Sequence, residues 1–199
     1  MDLQVSFFLL FTLFTAGHSL SCYECMGLTG SCAGQTLKRC PIGFSKCMSL
    51  STAVQAGDIT AKVKAKDCAA DCVSGSMNFG IVKNSIACCN TDQCNAQDAP
   101  DASNVPNGKT CYSCDGQSCL NILSCAGSED RCIKATGNFG GQSMVLKGCV
   151  SKSICDATTS VSDVQGVSCC EGNLCNGAKS VTQSFLFLCC SLISFLLLH

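Results

Sequence analysis

The sequence predicts a small, disulfide-rich, all-β protein that consists of two tandem copies of one domain. Three observations lead to this prediction: 22 of the 199 residues are cysteines, the cysteine spacing repeats, and the segments between cysteines alternate as strands do. So many cysteines in a short chain are typical of a disulfide scaffold that folds in an oxidising compartment. Aromatic residues are few between the two apolar ends, so cross-links must replace a large core.

The repeat is visible in the motifs that open and close each copy. Each copy opens with C-x2-C, within SCYEC and TCYSC, and closes with C-C-x4-C-N, as CCNTDQCN and CCEGNLCN. Ten cysteines belong to each copy. We therefore predict a first domain over residues 20–96 and a second over 109–177. Residues 97–108 between them hold two of the three prolines and are predicted to be a linker.

The clearest strand is DITAKVKAKDC, in which apolar or small residues alternate with polar ones. The polar positions are Thr60, Lys62, Lys64 and Lys66. A period of two predicts an antiparallel strand with one buried face, and the preceding CMSLSTAV is its expected partner across QAGD. Two further hairpins are predicted, one around GNFGG and one that turns near residues 78–80 of SGSMNFGIVKNSIACC. No helix is expected between the termini.

The two ends of the chain predict processing signals. Residues 1–19 have the apolar run and small residues of a signal peptide. Residues 178–199 are predicted to be a GPI-attachment propeptide, because small residues and a polar spacer precede an apolar run of 14 residues, which is short for a membrane span. Attachment is expected at Gly177, with Asn176, Ala178 and Ser180 as alternatives. The other interpretation is a transmembrane tail palmitoylated at Cys189 and Cys190.

Composition argues against several function classes. Residues 20–178 contain no histidine, which excludes a Ser-His-Asp triad, a Cys-His pair and histidine-ligated zinc. They hold 12 Lys and Arg against 13 Asp and Glu, so no basic stripe for nucleic acid is expected. C-x2-C pairs also occur in zinc and redox sites, but ten cysteines per copy favour structural disulfides. We expect no enzyme activity, cofactor or metal, and the pairing of the cysteines stays open.

The motifs LSCYEC, CCNTDQCN, TCYSC and CCEGNLCN resemble the lymphocyte-antigen-6/urokinase-receptor family, whose three-finger fold is shared with snake neurotoxins. The resemblance covers nearly all of residues 20–177, and it extends to two-domain fish proteins that are urokinase-receptor-like. It implies two three-finger domains, in which hairpin fingers spread from a disulfide-bonded hub. It also implies that Asn95 and Asn176, which follow the last cysteine of each copy, hydrogen-bond inside the hub.

The resemblance further implies a pairing of the cysteines. The implied pairs are Cys22–Cys47, Cys25–Cys32, Cys40–Cys68, Cys72–Cys88 and Cys89–Cys94 in the first domain, and Cys111–Cys132, Cys114–Cys119, Cys125–Cys149, Cys155–Cys169 and Cys170–Cys175 in the second. Each disulfide is expected to contribute about 2–4 kcal/mol to stability.

The function that the resemblance implies is a GPI-anchored extracellular binding protein of the receptor or co-receptor type. It would sit on the outer leaflet of the plasma membrane and present finger loops to a protein ligand. The alternative is a secreted two-domain inhibitor of a phospholipase or protease. Urokinase itself is not expected as the ligand, because its receptor has three such domains and this chain has two.

Two groups of residues are candidate ligand contacts. Phe79 and Phe139 lie in matching NFG contexts, where an exposed ring at a hairpin tip is a binding anchor. The other interpretation is a ring folded back onto its own domain. Lys62, Lys64 and Lys66 form a positive face for an acidic partner, or else a solvated face that discourages edge pairing.

Overall fold

The structure is a computed structural model that describes residues 19–139, 142–160 and 166–177. The first domain contains β1 (Ser21–Gly27), β2 (Thr36–Arg39), β3 (Lys46–Ala56), β4 (Ile59–Ala69), β5 (Gly75–Asn78) and β6 (Val82–Cys89). The second contains β7 (Pro106–Ser113), β8 (Asn121–Ala126), β9 (Arg131–Phe139), β10 (Gln142–Val150), α1 (Lys152–Ser160) and β11 (Val167–Cys170). The strand β7 thus begins inside the segment predicted as linker.

The first domain is one antiparallel sheet with the strand order β5-β6-β3-β4-β1-β2. Three hairpins form its fingers: β1 and β2 are finger 1, β3 and β4 are finger 2, and β5 and β6 are finger 3. Finger 2 pairs without interruption from Lys46↔Ala69 to Ala56↔Ile59. The hairpins predicted across QAGD and near residues 78–80 are therefore confirmed.

The second domain repeats the plan with one change. A two-stranded sheet of β7 and β8 is finger 1, and the β9–β10 hairpin is finger 2, with Phe139 paired to Gln142. This confirms the hairpin predicted around GNFGG. In the third position, β11 pairs with β9, and α1 stands where the first domain has β5.

The helix α1 corrects the expectation that no helix lies between the termini. Its sequence, KSICDATTS, has few strong helix formers, so local propensity gives little signal. Tertiary contacts stabilise it instead. Ile154 and Cys155 are buried against the sheet, and Asp130 accepts a hydrogen bond from the Lys152 backbone N–H at the helix start.

Ten disulfides form the two hubs, and their pairs are those that the resemblance implies. In each hub two bridges stack. Cys22 Sγ lies 3.2 Å from Cys40 Sγ in the first domain, and Cys111 Sγ lies 3.3 Å from Cys125 Sγ in the second. Because these sulfurs are fully or almost fully buried, the bridges supply the core that the sparse aromatic residues do not.

The two domains share one nine-stranded sheet. The strand β10 pairs with β5 through Cys149↔Asn78 and Val150↔Met77. This pairing places the hub of the second domain at the tip of finger 3 of the first. The domains are therefore joined by backbone hydrogen bonds as well as by the linker.

Candidate protein-binding site

Two of the three lysines on β4, Lys64 and Lys66, are buried beneath the linker. The side chains of Lys64 and Lys66 are only 10% and 1% exposed, although Lys62 is half exposed. Lys64 Nζ donates to the carbonyl oxygen of Ala99, and Lys66 Nζ to that of Ala96. The structure thus corrects the expectation of a positive face open to an acidic partner, and also the alternative of a solvated face.

Two linker carboxylates pair with these lysines. Asp101 lies 2.5 Å from Lys62 Nζ and 2.7 Å from Lys64 Nζ, and it accepts a hydrogen bond of 2.8 Å from Ser51 Oγ. Asp98 lies 2.9 Å from Lys66 Nζ. The hydrogen bond from Lys62, followed by those from Lys64 and Ser51, lowers the pKa of Asp101 well below its ordinary value. Sequence analysis did not identify these two carboxylates. The available signal was their opposite charge: two acidic residues lie in the predicted linker, and three alternating lysines lie on the predicted strand.

The linker covers the polar face of the first-domain sheet. Residues that pair directly across strands project from the same side, so the register defines this face. Ser51 pairs with both Lys64 and Ser85, and Ser85 pairs with Ser76. All four side chains are buried, which inverts the usual arrangement, in which a polar strand face is solvated.

The opposite face of the same sheet is apolar and partly open, and we call it the apolar face. Its rows follow from the register, in which Met26, Leu50 and Ile86 align through Ala65. The next rows hold Val63 with Thr52 and Asn84, and then Ala61, Val54 and Val82, with Ile59 near the finger 2 turn. Met26 is 71% exposed and Ile59 73% exposed. These rows contain no charged residue.

An unsatisfied polar group lies within this face. The side-chain oxygen Oδ1 of Asn84 is buried and has no hydrogen-bond partner among the described residues. A buried carbonyl oxygen without a donor costs about 1–3 kcal/mol. The apolar face therefore combines exposed aliphatic side chains with one amide group that lacks a donor. A second group of apolar residues, Leu20, Pro41, Ile42 and Phe44, lines a cavity at the base of the first domain.

Phe79 is part of the contact between domains, which corrects the expectation of an exposed anchor. Its ring is half-buried and packs on a cluster that includes Ile133, Val150 and Ile154 of the second domain. The ring is neither an exposed anchor nor packed only on its own domain, because the second hub lies at the tip of finger 3 and covers it. For Phe139 the structure describes only the backbone, so its role as a ligand contact stays a prediction.

Two glycines allow the domains to approach closely. A Cβ atom on Gly148 would lie 2.1 Å from the carbonyl oxygen of Asn78 and 3.0 Å from the ring of Phe79. A Cβ atom on Gly75 would lie 2.1 Å from Ser151 Oγ. Both distances are far below van der Waals contact. At Gly148 the obstacle is backbone, so only glycine fits there, whereas a larger residue at position 75 would require the Ser151 and Ile154 side chains to move.

Glu129 is the most buried charged group of this contact, at 1% exposure. One of its carboxylate oxygens accepts a hydrogen bond of 2.9 Å from the Ala126 backbone N–H. Desolvation raises the pKa of Glu129, against smaller opposing effects that include Lys83 and a hydrogen bond from Asn78. Two side chains of the first domain, Lys83 and Asn78, therefore influence the pKa of this second-domain carboxyl group.

The two asparagines occupy matching places in the hubs. Asn95 Oδ1 accepts a bond from the Tyr23 N–H at 2.8 Å, and its Nδ2 donates to the carbonyl oxygens of Tyr23 and Met48. Asn176 makes the same bonds to Tyr112, and its Nδ2 also donates to the Ile133 carbonyl oxygen at 2.9 Å. Each asparagine thus ties the chain end of its domain to two strands.

The residues predicted for lipid attachment lie at the limit of what the structure describes. Gly177 is the last described residue, and its N–H donates to the Leu174 carbonyl oxygen at 3.3 Å. Ala178, Ser180, Cys189 and Cys190 lie outside the described residues, as does most of the predicted signal peptide. Within the described ranges, no helix is long and apolar enough to cross a membrane.

The cysteines of the described residues are all cross-linked. Because all of them form disulfides, none of them provides a thiol nucleophile. The sulfurs of Cys22, Cys40 and Cys68 lie within 4.8 Å of one another, as do those of Cys111, Cys125 and Cys149. Metal binding needs thiolates, and these sulfurs are bridged, so neither cluster has the chemistry of a metal site.

Comparison with known proteins agrees with this architecture. Residues 18–97 match the u-PAR/Ly-6 domain, and residues 110–176 match the family of snake toxins and toxin-like proteins. The urokinase plasminogen activator surface receptor of Rattus norvegicus is 29% identical, over 90% of this chain and 62% of the receptor. That of Mus musculus is 28% identical, over 82% of this chain and 56% of the receptor.

A solved structure, that of mouse TEX101, is 16% identical and covers 77% of this chain and 99% of its own, with a TM-score of 0.30. The chain spans less than two thirds of the length of the two receptors named above. The two domain matches, the ten disulfides and the receptor relatives lead to one conclusion: the chain belongs to the lymphocyte-antigen-6/urokinase-receptor family.

Proposed function

We propose that this protein is an extracellular binding protein of the receptor or co-receptor type, and that its ligand is a protein that docks on the apolar face. The observation that carries this proposal is the exposure of Met26, Val54 and Ile59, which lie in successive rows of the apolar face. Contiguous exposed apolar surface of this kind marks protein interaction sites. The relatives are named as surface receptors, which supports the same class of function.

The apolar face suits a protein ligand better than a small molecule. Its rows from Met26 to Ile59 hold no charged residue, and burying their aliphatic side chains stabilises a complex in proportion to the area removed from water. We therefore expect the ligand to present apolar side chains to this face.

We further propose that a GPI lipid attached at Gly177 holds the protein on the outer leaflet of the plasma membrane. Support comes from Asn176, whose burial and hydrogen bonds in the hub disfavour it as the attachment residue and favour its neighbour Gly177. Ala178 and Ser180 remain the alternatives. Attachment here would place the lipid at the second hub, beside the junction of the domains.

Surface release tests the anchor. The full-length chain, with an epitope tag after residue 19, is expressed on animal cells and treated with a phosphatidylinositol-specific phospholipase. We expect the tag to move from the cells into the medium. Retention on the cells would contradict the anchor, and tagged protein in the medium before treatment would favour the secreted alternative.

A matched pair of variants tests the docking surface. Ile59 and Ile122 are similarly exposed, at 73% and 67%, but Ile122 lies on β8 of the second domain. After crosslinking on intact cells identifies a partner protein, Ile59→Asp is expected to abolish its binding and Ile122→Asp to preserve it. If the two variants bind the partner equally well, or if only Ile122→Asp loses binding, the apolar face is not the docking surface.

A further inference from the structure

A cavity of about 180 Å³ lies between the linker and the polar face of the first-domain sheet. The small side chain of Ala53 forms its floor, since Ala53 pairs with Lys62 on one side and Lys83 on the other. Paired residues project from the same face, so the two lysines form opposite walls. The cavity is thus on the side of the sheet away from the apolar face, and it is independent of the proposed docking surface.

The charges around this cavity do not balance. Asp101 lines it, but this carboxylate already binds Lys62, Lys64 and Ser51. Lys83 has no carboxylate partner among the described residues, and its ammonium group donates to the neutral amide oxygen of Asn104 at 2.7 Å. Glu129 feels the charge of Lys83 but forms no ion pair with it. One cation at the cavity wall is therefore left for an anionic ligand.

The neutral lining has the hydrogen-bonding groups that hydroxyls need. The Thr60 hydroxyl makes no hydrogen bond within the described part of the chain. The Gln55 amide has one long bond of 3.5 Å to Gly57, and Asn104 uses only its oxygen. Ile81 and Ala53 add small apolar surfaces. A compact ligand with one negative charge and several hydroxyls matches this combination.

We propose that this cavity binds one unit of an acidic sugar, whose carboxylate pairs with the Lys83 ammonium group. The ring hydroxyls bond to Thr60, Gln55 and Asn104, and the apolar side of the ring packs on Ile81. Asn104 belongs to the linker, so the site exists only while the linker is docked on the lysine row. The docked linker thereby completes the saccharide site.

Calorimetric titration of the intact chain, purified in detergent, with glucuronate and with glucose tests the charge requirement. We expect glucuronate to bind at least about tenfold more tightly than glucose, because one charge-assisted hydrogen bond separates them. Equal affinity for the two sugars, or no binding of glucuronate, would overturn the proposal. N-acetylglutamate is the third probe. If it binds as tightly as glucuronate, the cavity recognises an acidic protein side chain, and the sugar assignment is wrong.

Three variants locate the site. Lys83→Met removes the proposed partner of the carboxylate and should weaken glucuronate binding about tenfold. Ala53→Leu fills the floor of the cavity, leaves every charge in place and should abolish binding. Lys109→Met, which removes a charge in the second domain, should leave the affinity unchanged. Unchanged binding by both Lys83→Met and Ala53→Leu would place the ligand elsewhere and overturn the assignment.

Discussion

Cys149 pairs in register with Asn78, so that a strand of the second domain continues the sheet of the first. One partner of this pair is a hub cysteine bridged to Cys125, and the other is the last residue of β5 in finger 3. The hub of one domain is therefore bonded directly to a finger of the other. Such a junction is expected to behave as one rigid unit, and the predictions below test its parts.

Gly148→Ala should break the junction. The added Cβ atom would lie 2.1 Å from the Asn78 carbonyl oxygen, so the pairing of β10 with β5 cannot persist unchanged. We expect a loss of about 2 kcal/mol or more in the free energy of unfolding and a larger radius of gyration in X-ray scattering. Gly34→Ala is the control, since a methyl group added there would have no other atom within 4 Å. An unchanged radius and stability for Gly148→Ala would contradict the sheet continuity.

Asp101→Asn should loosen the linker. The substitution removes the charge that pairs with Lys62 and Lys64, and it weakens the bond from Ser51. We expect a cost of about 1–2 kcal/mol in stability and faster amide hydrogen exchange in residues 97–104. Asp58→Asn, at the exposed turn of finger 2, is the control. Equal exchange rates in both variants would show that the lysine row does not hold the linker.

Acid should undock the linker in the unmodified protein. Hydrogen bonds from lysines lower the pKa values of Asp101 and Asp98. A lowered carboxyl pKa adds stability that is complete above its ordinary value of about 3.9 and is lost as the pH falls below it. Hydrogen exchange in residues 97–104 should therefore accelerate, relative to the hub strands, below about pH 4. Protection that stays constant down to pH 2 would contradict the role of these carboxylates.

Glu129→Gln should remove a loss of stability that occurs as the pH rises, in contrast to the linker carboxylates, whose contribution is lost as the pH falls. Burial raises the pKa of Glu129, so the folded state binds its proton more tightly than the unfolded chain does. The wild type then loses stability as the pH rises from about 4.3 toward the raised value, whereas glutamine does not titrate. The stability of the variant relative to the wild type should rise over this range in denaturant unfolding. A relative stability that is flat or falls with pH would be inconsistent with a desolvated carboxylate.

Asn95→Ala should destabilise the first hub. The side chain is buried and makes three hydrogen bonds, to both backbone groups of Tyr23 and to the Met48 carbonyl oxygen. Removing it leaves these groups without partners, at an expected cost of about 2–4 kcal/mol in the free energy of unfolding. Asn90→Ala, at an exposed position, should change stability by less than about 0.5 kcal/mol. Similar unfolding curves for the two variants would make Asn95 a turn residue only.

The sequence alone determined the scaffold of this protein. The spacing of the cysteines and the closing motifs predicted two domains, and the alternation in DITAKVKAKDC predicted the long finger 2. Both are local patterns. Backbone periodicity decides which residues form a strand, and the order of the cysteines along the chain reflects the order of the strands that carry them.

Only the tertiary structure decided which surfaces are open. Lys64 and Lys66 are buried because Asp101 and Asp98, more than thirty residues further along the chain, neutralise them. Phe79 is covered because a strand of the second domain pairs with its own finger. Strand alternation separates two faces but does not state which one meets solvent, since that choice depends on what docks from elsewhere in the chain. Here the linker covers the polar face, and the apolar face stays partly exposed.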